Sequence, residues 1–351
     1  MLQGVMRAIT VIPGQPGSAR LDEVDEPVRQ EDDLLVLGIA LGVCGTDREI
    51  VRGEYGWAPP ERERLVLGHE SLGRVLEAPA GSAFQEGQLV VGIVRRPDPE
   101  PCRCCAAGEW DMCRNGRYTE RGIKEVDGYG AERYTLEPGF AVPVAEHLED
   151  VAVLLEPTSV VAKAWEQIDR ISRRACSPGA TVLVTGAGPI GLLAALLAKQ
   201  RELDVHVLDL AEEGPKPALA KALGAEYHTG SVEDCPEPDV VVEATGAGGL
   251  VFDVMRHTAP GAIVCLTGVS AEGRKVSVDP GALNNELVLE NDVVFGSVNA
   301  ARRHYEQAAG ALERADAGWL ERVVSRRVPL ADWQTALESR DDDVKVVVDL
   351  S

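Results

Sequence analysis

The stretch Thr181-Val-Leu-Val-Thr-Gly-Ala-Gly-Pro-Ile-Gly191 is a short apolar run that leads directly into a G-x-G-x-x-G turn. An apolar strand, this glycine spacing and a following helix together form the fingerprint of a dinucleotide-binding βαβ unit. The first glycine permits the tight turn, the second lets the backbone approach a pyrophosphate, and the third lets helix and strand pack closely. The residues predicted to bind the cofactor at this turn are Gly186, Gly188, Pro189, Ile190 and Gly191.

Asp209 ends the next predicted strand, Val205 to Leu210, about 20 residues beyond the glycine turn. A carboxylate at this place accepts hydrogen bonds from the adenosine ribose and repels the additional phosphate of NADP. No arginine follows it in Leu210-Ala-Glu-Glu-Gly214. The sequence therefore predicts that NAD is preferred, with NADP as the alternative. Thr245 and Gly268 follow the next two predicted strands, where a nicotinamide would lie.

The pattern of elements divides the chain into two parts. From about residue 158 to residue 296, near-continuous apolar strands alternate with helices, which is typical of a parallel sheet covered on both faces. The first 150 residues consist instead of short predicted strands separated by Gly and Pro turns. We therefore predict an α/β fold with a mostly β domain of residues 1–157 and 297–351, and a doubly wound parallel sheet of residues 158–296.

Composition limits the partners of the chain. Its 351 residues include 57 acidic and 35 basic side chains, so that its formal net charge is −22. This charge disfavours a nucleic-acid partner, because the phosphates would be repelled. No uninterrupted apolar run approaches the roughly 20 residues that span a bilayer, so no membrane partner is expected. The first ten residues lack a basic start followed by a long apolar stretch, and we expect a cytoplasmic protein.

Three segments before the glycine turn carry side chains that bind zinc. They are Val43-Cys44-Gly-Thr-Asp47, Gly68-His69-Glu70 and Leu155-Glu156-Pro157. A thiolate, an imidazole and a carboxylate make a three-ligand zinc site that keeps one position open for substrate. Taken singly, Cys44 could be a core residue, His69 a structural histidine and Glu156 a capping or paired carboxylate. Their occurrence beside a dinucleotide turn favours a catalytic zinc that acidifies an alcohol while the cofactor accepts its hydride.

In their order along the chain, Gly42-Val-Cys-Gly-Thr-Asp47, Gly68-His-Glu70 and the glycine turn resemble the zinc-containing medium-chain dehydrogenase/reductases. The resemblance covers essentially the whole chain. It implies a GroES-like catalytic domain interrupted by a Rossmann domain, with the active site between them, and a homodimer or homotetramer. It also implies that Glu70 lies behind the zinc ligands or contacts the metal transiently, and that the Thr46 hydroxyl relays the substrate proton.

Within that superfamily, three further segments resemble the glucose dehydrogenase branch. They are Tyr118-Thr-Glu-Arg-Gly-Ile123, Leu154-Leu-Glu-Pro157 and Phe295-Gly-Ser-Val-Asn299. The resemblance implies that Glu120 and Asn299 bind sugar hydroxyls beside Thr46 and Glu156, and that Asn299 also lies near the cofactor. The alternative interpretations are that Glu120 forms a surface ion pair with Arg117 or Arg121, and that Asn299 shapes a turn. Members of the branch often carry arginines after the second Rossmann strand, where this chain has Asp209.

The combined motifs predict a zinc-dependent, NAD(P)-dependent alcohol dehydrogenase that oxidises a sugar or polyol, with an aldose oxidised at C1 as the leading expectation. The first alternative is a reaction of the same type on a cyclitol or sugar-like intermediate, running in the ketone-reducing direction. The second alternative is a binding protein of dehydrogenase ancestry without catalysis, which the complete set of Cys44, His69, Glu156 and glycine turn disfavours.

A second cysteine cluster, Pro101-Cys-Arg-Cys-Cys105 followed by Cys113, resembles the structural zinc lobe of the superfamily. The usual spacing is C-x2-C-x2-C-x7-C, which Cys102, Cys105 and Cys113 match, whereas Pro99 occupies the first position. Because structural zinc sites are almost always four-coordinate, the fourth ligand would be Asp98 or Cys104. The alternative is a lobe without metal. The cysteines predicted to be structural core residues are Cys176, Cys235 and Cys265.

Overall fold

A computed structural model of the chain describes residues 4–175, 180–270 and 275–351, and Cys176 lies outside them. The chain forms two compact units. Unit 1 consists of Met1–Ser159 and Asn299–Ser351, and unit 2 consists of Val160–Val298. Among the described residues, no helix combines the length and the apolar character that crossing a lipid bilayer requires.

Strands and α-helices contribute about equally to the secondary structure of the described residues. The strands are β1 (Val5–Val11), β2 (Arg20–Asp25), β3 (Leu34–Val43), β4 (Leu65–Val66), β5 (Glu70–Glu77), β6 (Leu89–Gly92), β7 (Arg95–Arg96), β8 (Thr119–Arg121), β9 (Glu125–Val126), β10 (Arg133–Leu136), β11 (Ala141–Pro143), β12 (Thr181–Thr185), β13 (Asp204–Leu208), β14 (Glu226–His228), β15 (Val240–Glu243), β16 (Ile263–Leu266), β17 (Val293–Gly296), β18 (Val324–Pro329) and β19 (Lys345–Asp349). The helices are α1 (Gly45–Val51), α2 (Arg103–Ala106), α3 (Leu155–Ser172), α4 (Pro189–Lys199), α5 (Pro215–Ala222), α6 (Gly248–Val254), α7 (Pro280–Leu289), α8 (Arg302–Glu313), α9 (Ala317–Val323) and α10 (Gln334–Leu337).

Unit 2 contains a parallel sheet with the strand order β14-β13-β12-β15-β16-β17. This is the doubly wound order, which reverses between β12 and β15, and ligands bind such sheets beyond the carboxyl ends of the strands at that point. All four residues of β15 are buried, as are four of the five in β12, because both faces of the sheet are covered. The predicted Rossmann-type parallel sheet is confirmed.

Unit 1 is built around β3, a ten-residue strand whose last four residues are all buried. It pairs antiparallel with β5, β10 and β19, and β19 in turn pairs with β18. The carboxyl-terminal strand therefore returns to the first unit, with Val346 opposite Val43. This pairing brings the start of β19 beside the segment that carries Cys44. The predicted mostly β, GroES-like domain is confirmed.

Helix α3 begins earlier than the sequence pattern indicates. The predicted helix runs from Val160 to Ser172, whereas α3 begins at Leu155 and contains Glu156 and Pro157 in its first turn. Proline is tolerated there because the first amide groups of a helix have no partner within the helix. Glu156 is consequently held on a rigid element, and its carboxylate is buried.

Candidate active site

Cys44 and His69 are brought together by two neighbouring strands of unit 1. Cys44 follows β3 and caps the amino terminus of α1, where its Sγ accepts the Thr46 amide at 3.3 Å. His69 directly precedes β5, which pairs with β3. The distance between Cys44 Sγ and His69 Nε2 is 3.1 Å. Together with a Glu70 carboxylate oxygen, these ligand atoms lie within 4.8 Å of one another, so the predicted zinc ligands Cys44 and His69 form one cluster.

Asp47 lies behind the imidazole of His69. Its Oδ1 lies 3.4 Å from His69 Nδ1, and its Oδ2 accepts the Cys44 amide at 2.9 Å. Burial alone would lower the pKa of His69, but Cys44 and Asp47 outweigh it and raise that pKa well above its ordinary value. A carboxylate behind a histidine fixes the tautomer that presents Nε2 to a metal. This role of Asp47 was not predicted from the sequence, although Cys-x-x-Asp at a helix start was a usable signal.

Glu70 is held by a lysine that no sequence motif marks. Lys345 Nζ contacts Glu70 Oε1 at 2.7 Å and Oε2 at 2.6 Å, and both side chains are almost completely buried. Burial lowers the pKa of Lys345, but Glu70 and Cys44 outweigh it, so the net shift is upward. Because both oxygens of Glu70 accept from Lys345, the carboxylate is neutralised beside the cluster. This arrangement fits a residue behind the zinc ligands better than a permanent ligand.

Glu156 is buried beside the same charges. Burial raises its pKa to about 7, with Glu70 and Asp47 raising it further and with His69 and Lys345 opposing the shift. The hydroxyl of the buried Tyr305 on α8 accepts the Val94 amide at 3.2 Å, and burial together with the charge of Glu156 raises the pKa of Tyr305 well above its ordinary value. A buried carboxylate at this pKa readily becomes an anionic ligand when a cation is bound. The role of Glu156 as third ligand stays a prediction.

Glu120 and Asn299 are in direct contact. Asn299 Nδ2 donates to Glu120 Oε1 at 2.7 Å, and the guanidinium of Arg95 donates to the same oxygen at 2.9 and 3.0 Å. Glu120 is only 6% exposed, so it is not part of a surface ion pair with Arg117 or Arg121. Asn299 has a φ of 61° and also accepts the Ala300 amide, so it shapes the backbone as well. Within the described chain, Glu120 Oε2 receives no hydrogen bond and stays available to a hydroxyl group.

The glycine turn has the geometry of a phosphate cradle. Gly186 has a φ of +92°, and a Cβ on Gly191 would lie 1.7 Å from the Gly186 carbonyl oxygen, so both positions require glycine. A Cβ on Gly188 would meet no protein atom within 4 Å. In the dinucleotide fingerprint, the second glycine leaves this space open so that the pyrophosphate can approach the backbone. Pro189 and Ile190 begin α4 directly behind it.

Asp209 lies against this turn. Its Oδ2 accepts the Ala187 amide at 2.6 Å, and its Oδ1 accepts the Ala211 amide at 3.0 Å. Lys216 Nζ lies 3.7 Å from the same Oδ1. This lysine was not predicted, because it lies two residues beyond the stretch Leu210 to Gly214 that directly follows the strand. The position combines a carboxylate suited to ribose hydroxyls with a cation suited to a phosphate.

Thr245 and Gly268 are arranged by the buried carboxylate of Glu243. Its Oε1 accepts the Thr245 amide at 2.8 Å as well as the Thr245 hydroxyl. A Cβ on Gly268 would lie 2.1 Å from the Gly246 amide nitrogen, so the chain segments after β15 and β16 approach closely. Their predicted contact with a nicotinamide stays a prediction.

The cysteine lobe gathers three thiols and, among the described residues, no fourth ligand. Cys102, Cys105 and Cys113 form a group of closely spaced sulfur atoms, to which neither Cys104 nor Asp98 belongs. Both oxygens of Asp98 are engaged, Oδ1 by the Glu100 amide and Oδ2 by Arg117. Donation from the Arg114 amide is the main cause that lowers the pKa of Cys102 to about 6, which favours a thiolate ligand. The two remaining described cysteines, Cys235 and Cys265, are buried as predicted.

Two family models cover most of the chain. The one described as glucose dehydrogenase C-terminus matches residues 149–350, and the one described as alcohol dehydrogenase GroES-like domain matches residues 30–146. A glucose 1-dehydrogenase of Methanocella arvoryzae is 42% identical over 98% of this chain and 99% of its own length. A glucose 1-dehydrogenase of Thermoproteus tenax is 39% identical with the same coverage.

Solved structures agree with this likeness. Haloferax mediterranei glucose dehydrogenase in complex with NADP, Zn and gluconolactone superposes with a TM-score of 0.90 at 29% identity, covering 99% of each chain. A putative zinc-binding dehydrogenase of Sinorhizobium meliloti bound to NADP superposes with a TM-score of 0.83 at 28% identity, covering 99% of this chain and all of the other. The chain belongs to the zinc-containing medium-chain dehydrogenase/reductases, in their glucose dehydrogenase branch.

Proposed function

We propose that this oxidoreductase is a zinc-dependent glucose 1-dehydrogenase that oxidises an aldose at C1 to the lactone with NAD(P). The observation that carries the proposal is the approach of the Cys44 thiol to the His69 imidazole at 3.1 Å, together with the contact between Glu120 and Asn299. The ligand atoms that lie within 4.8 Å of one another include a Glu70 oxygen and none of Glu156, so the buried Glu156 is part of the proposal as the third ligand. The donor set of a thiolate, an imidazole and a carboxylate is one that zinc prefers, so the residues fit the metal. Relatives that act on glucose and hold gluconolactone support the choice of substrate.

Each side chain then has a defined task. Cys44, His69 and Glu156 would hold the zinc, and Asp47 and Lys345 would keep His69 and Glu70 in place. When bound, zinc supplies a Lewis acid that lowers the pKa of the C1 hydroxyl, and NAD(P) supplies the hydride acceptor. Thr46 would receive the hydroxyl proton and pass it towards solvent. The sugar loses one proton and one hydride, and its C1 carbon becomes the carbonyl of the lactone.

Glu120 and Asn299 would select a polyhydroxylated substrate. A buried carboxylate with one unengaged oxygen favours a ligand that supplies a hydroxyl donor, because a ligand without it leaves that oxygen without a hydrogen bond. We expect Glu120→Gln to lower kcat/KM for glucose about 10- to 100-fold, mostly through KM, because a charge-assisted hydrogen bond is lost. The KM of the cofactor should not change. Steady-state kinetics on this variant and on the exposed Glu63→Gln control measures the effect. Equal kcat/KM values for glucose in the two variants would contradict the assignment.

We propose NAD as the preferred cofactor, because Asp209 lies against the glycine turn as a ribose-binding carboxylate would. The solved relatives hold NADP and do not support this preference, so it rests on Asp209 alone. We expect Asp209→Ala to lower the ratio of kcat/KM for NAD to that for NADP about 10- to 100-fold. Loss of the carboxylate also frees Lys216 to bind the additional phosphate, so kcat/KM for NADP should rise in Asp209→Ala. In the double variant Asp209→Ala/Lys216→Ala, this rise should be lost.

The exposed Glu212→Ala is the matched control for Asp209, because it removes a neighbouring carboxylate outside the turn. Its cofactor ratio should equal that of the unchanged protein. An Asp209→Ala variant with an unaltered ratio would show that this carboxylate does not face the cofactor.

The deciding experiment for the function is a set of initial rates with zinc-loaded protein, NAD or NADP, and D-glucose, D-galactose, D-xylose, sorbitol or myo-inositol. A clear rate with an aldose is expected. Rates confined to myo-inositol would favour the cyclitol alternative instead. Absence of turnover across the panel, with one zinc bound per chain, would contradict the sugar assignment while leaving the metal assignment standing.

Two further parts of the proposal, a structural zinc and the oligomeric state, have no role in the chemical reaction. The three thiols of the lobe would hold a structural zinc if a ligand other than Asp98 or Cys104 completes it. The family likeness also supports a homodimer or homotetramer. Metal analysis and sedimentation of the purified protein test the two in turn.

A further inference from the structure

A second group of side chains of the types that bind metals lies in unit 2. His206 is on β13, and Glu226 and His228 are on β14, the strand at the edge of the parallel sheet. His206 is the cross-strand partner of Glu226, and His228 is two residues further along β14. Because alternate residues of a strand share a face, the three side chains lie on the same face of the sheet. Their ligand atoms lie within 4.8 Å of one another.

The distances identify the donor atoms. His206 Nδ1 lies 2.9 Å from His228 Nε2 and 3.7 Å from Glu226 Oε2. The opposite nitrogen, His206 Nε2, lies 3.4 Å from Asp204 Oδ2. A histidine that donates its far N–H to a carboxylate presents its other nitrogen as a basic lone pair, and metal-binding histidines almost always have such a partner. Asp204 is placed as such a partner would be, because it lies on the side of His206 opposite to His228.

The surroundings provide a route for an ion. His206 is buried, whereas the Glu226 and Asp204 side chains are 69% and 72% exposed. The carboxylates add negative charge at the solvent side, where a cation would enter.

A hydrogen bond between two neutral imidazoles accounts for the same 2.9 Å distance. Two nitrogens on a tetrahedral zinc at about 2.0–2.1 Å would lie roughly 3.3 Å apart, so the rings need to separate by only a few tenths of an ångström. The edge strand is free to make such a shift because it is paired on one side only within the described sheet. A hydrogen bond between the two imidazoles gives no role to the Glu226 carboxylate at 3.7 Å, whereas a metal would use it as the third ligand and would bind more tightly with Asp204 behind His206.

We propose that His206, Glu226 and His228 bind one divalent transition-metal ion, with zinc as the main candidate and with water as the fourth ligand. Two imidazoles and one carboxylate suit zinc and its neighbours in the first row. The ion would fasten the edge strand β14 to β13. It would act on stability rather than on catalysis, because none of the three residues belongs to the proposed catalytic set.

The test compares zinc binding to the full-length protein and to His228→Gln by equilibrium dialysis. Glutamine can still donate a hydrogen bond to His206 Nδ1, but it removes the imidazole ligand. We expect the variant to bind one zinc equivalent fewer, while the zinc held at Cys44 and His69 is retained. His147→Gln removes an exposed histidine outside the cluster and should bind as much zinc as the unchanged protein. Asp204→Asn should keep the site but weaken its affinity about 10- to 100-fold.

Thermal unfolding supplies a second readout. Zinc should raise the midpoint of the unchanged protein more than that of His228→Gln, and the two midpoints should agree in the presence of a chelator. The proposal is overturned if His228→Gln binds as many equivalents as the unchanged protein. It is also overturned if the midpoint of His228→Gln is lowered by the same amount with and without zinc. That result would mean that His206 and His228 form only a hydrogen bond.

Discussion

Replacing Cys44 by Ser should reduce kcat with glucose at least about a thousand-fold while leaving the protein folded. A catalytic zinc at the proposed site would contribute several kcal/mol of transition-state stabilisation, and each 1.4 kcal/mol is about tenfold in rate. A serine hydroxyl is a far weaker zinc ligand than a thiolate, so the zinc content should fall together with kcat. Rates and metal content measured on the same preparations reveal whether the two losses coincide.

The fold should survive this change because of where Cys44 lies. Its Sγ accepts the Thr46 amide at the start of α1, and serine is among the preferred residues at such a cap. Thermal unfolding of the metal-free proteins should therefore give nearly equal midpoints. The matched control is Cys104→Ser, which removes a half-buried thiol outside the three-thiol group and should retain kcat. Full activity of Cys44→Ser would refute the metal assignment.

The sequence predicted best those elements whose apolar pattern matches their burial in the structure. β12 has the predicted bounds, because an apolar run flanked by a glycine turn admits few alternatives. The short edge strand β14 and the helix α7 were not predicted. β14 is three residues long and carries polar side chains, so it has no apolar period to recognise. None of the α7 side chains is buried, so the apolar stripe that marks most helices is missing.

Site residues were predictable where they are adjacent in sequence. Cys44, His69 and the glycines occur in short motifs of this kind. Asn299, which is 179 positions from Glu120, was predicted only through the family resemblance, and Lys345, which is 275 positions from Glu70, was not predicted. Only the pairing of β19 with β3 and the return of the chain to unit 1 create these contacts. A side chain whose partner is fixed by strand order cannot be assigned from local spacing.

Replacing Lys345 by Met should lower the free energy of unfolding at neutral pH by about 3–5 kcal/mol, because the Glu70 carboxylate is then buried without its counter-charge. Breaking such a pair costs more than the intact pair contributes. Methionine fills a similar volume, so the loss arises from charge rather than from a cavity. Chemical denaturation of the metal-free protein measures the difference. The exposed Lys221→Met should stay within about 0.5 kcal/mol of the unchanged protein.

The pH dependence identifies the ion pair as the cause. Burial opposes the charge of Lys345, but Glu70 and Cys44 together raise the pKa of Lys345 above its ordinary 10.5. A raised pKa of a cation gives stability that is complete below its ordinary value and is lost as the pH rises through the folded value. The deficit of Lys345→Met should therefore be constant near neutrality and shrink above pH 10.5. Adding Glu70→Gln to Lys345→Met should recover much of the loss, because no unpaired charge then stays buried. A deficit that persists in the double variant would assign the effect to packing.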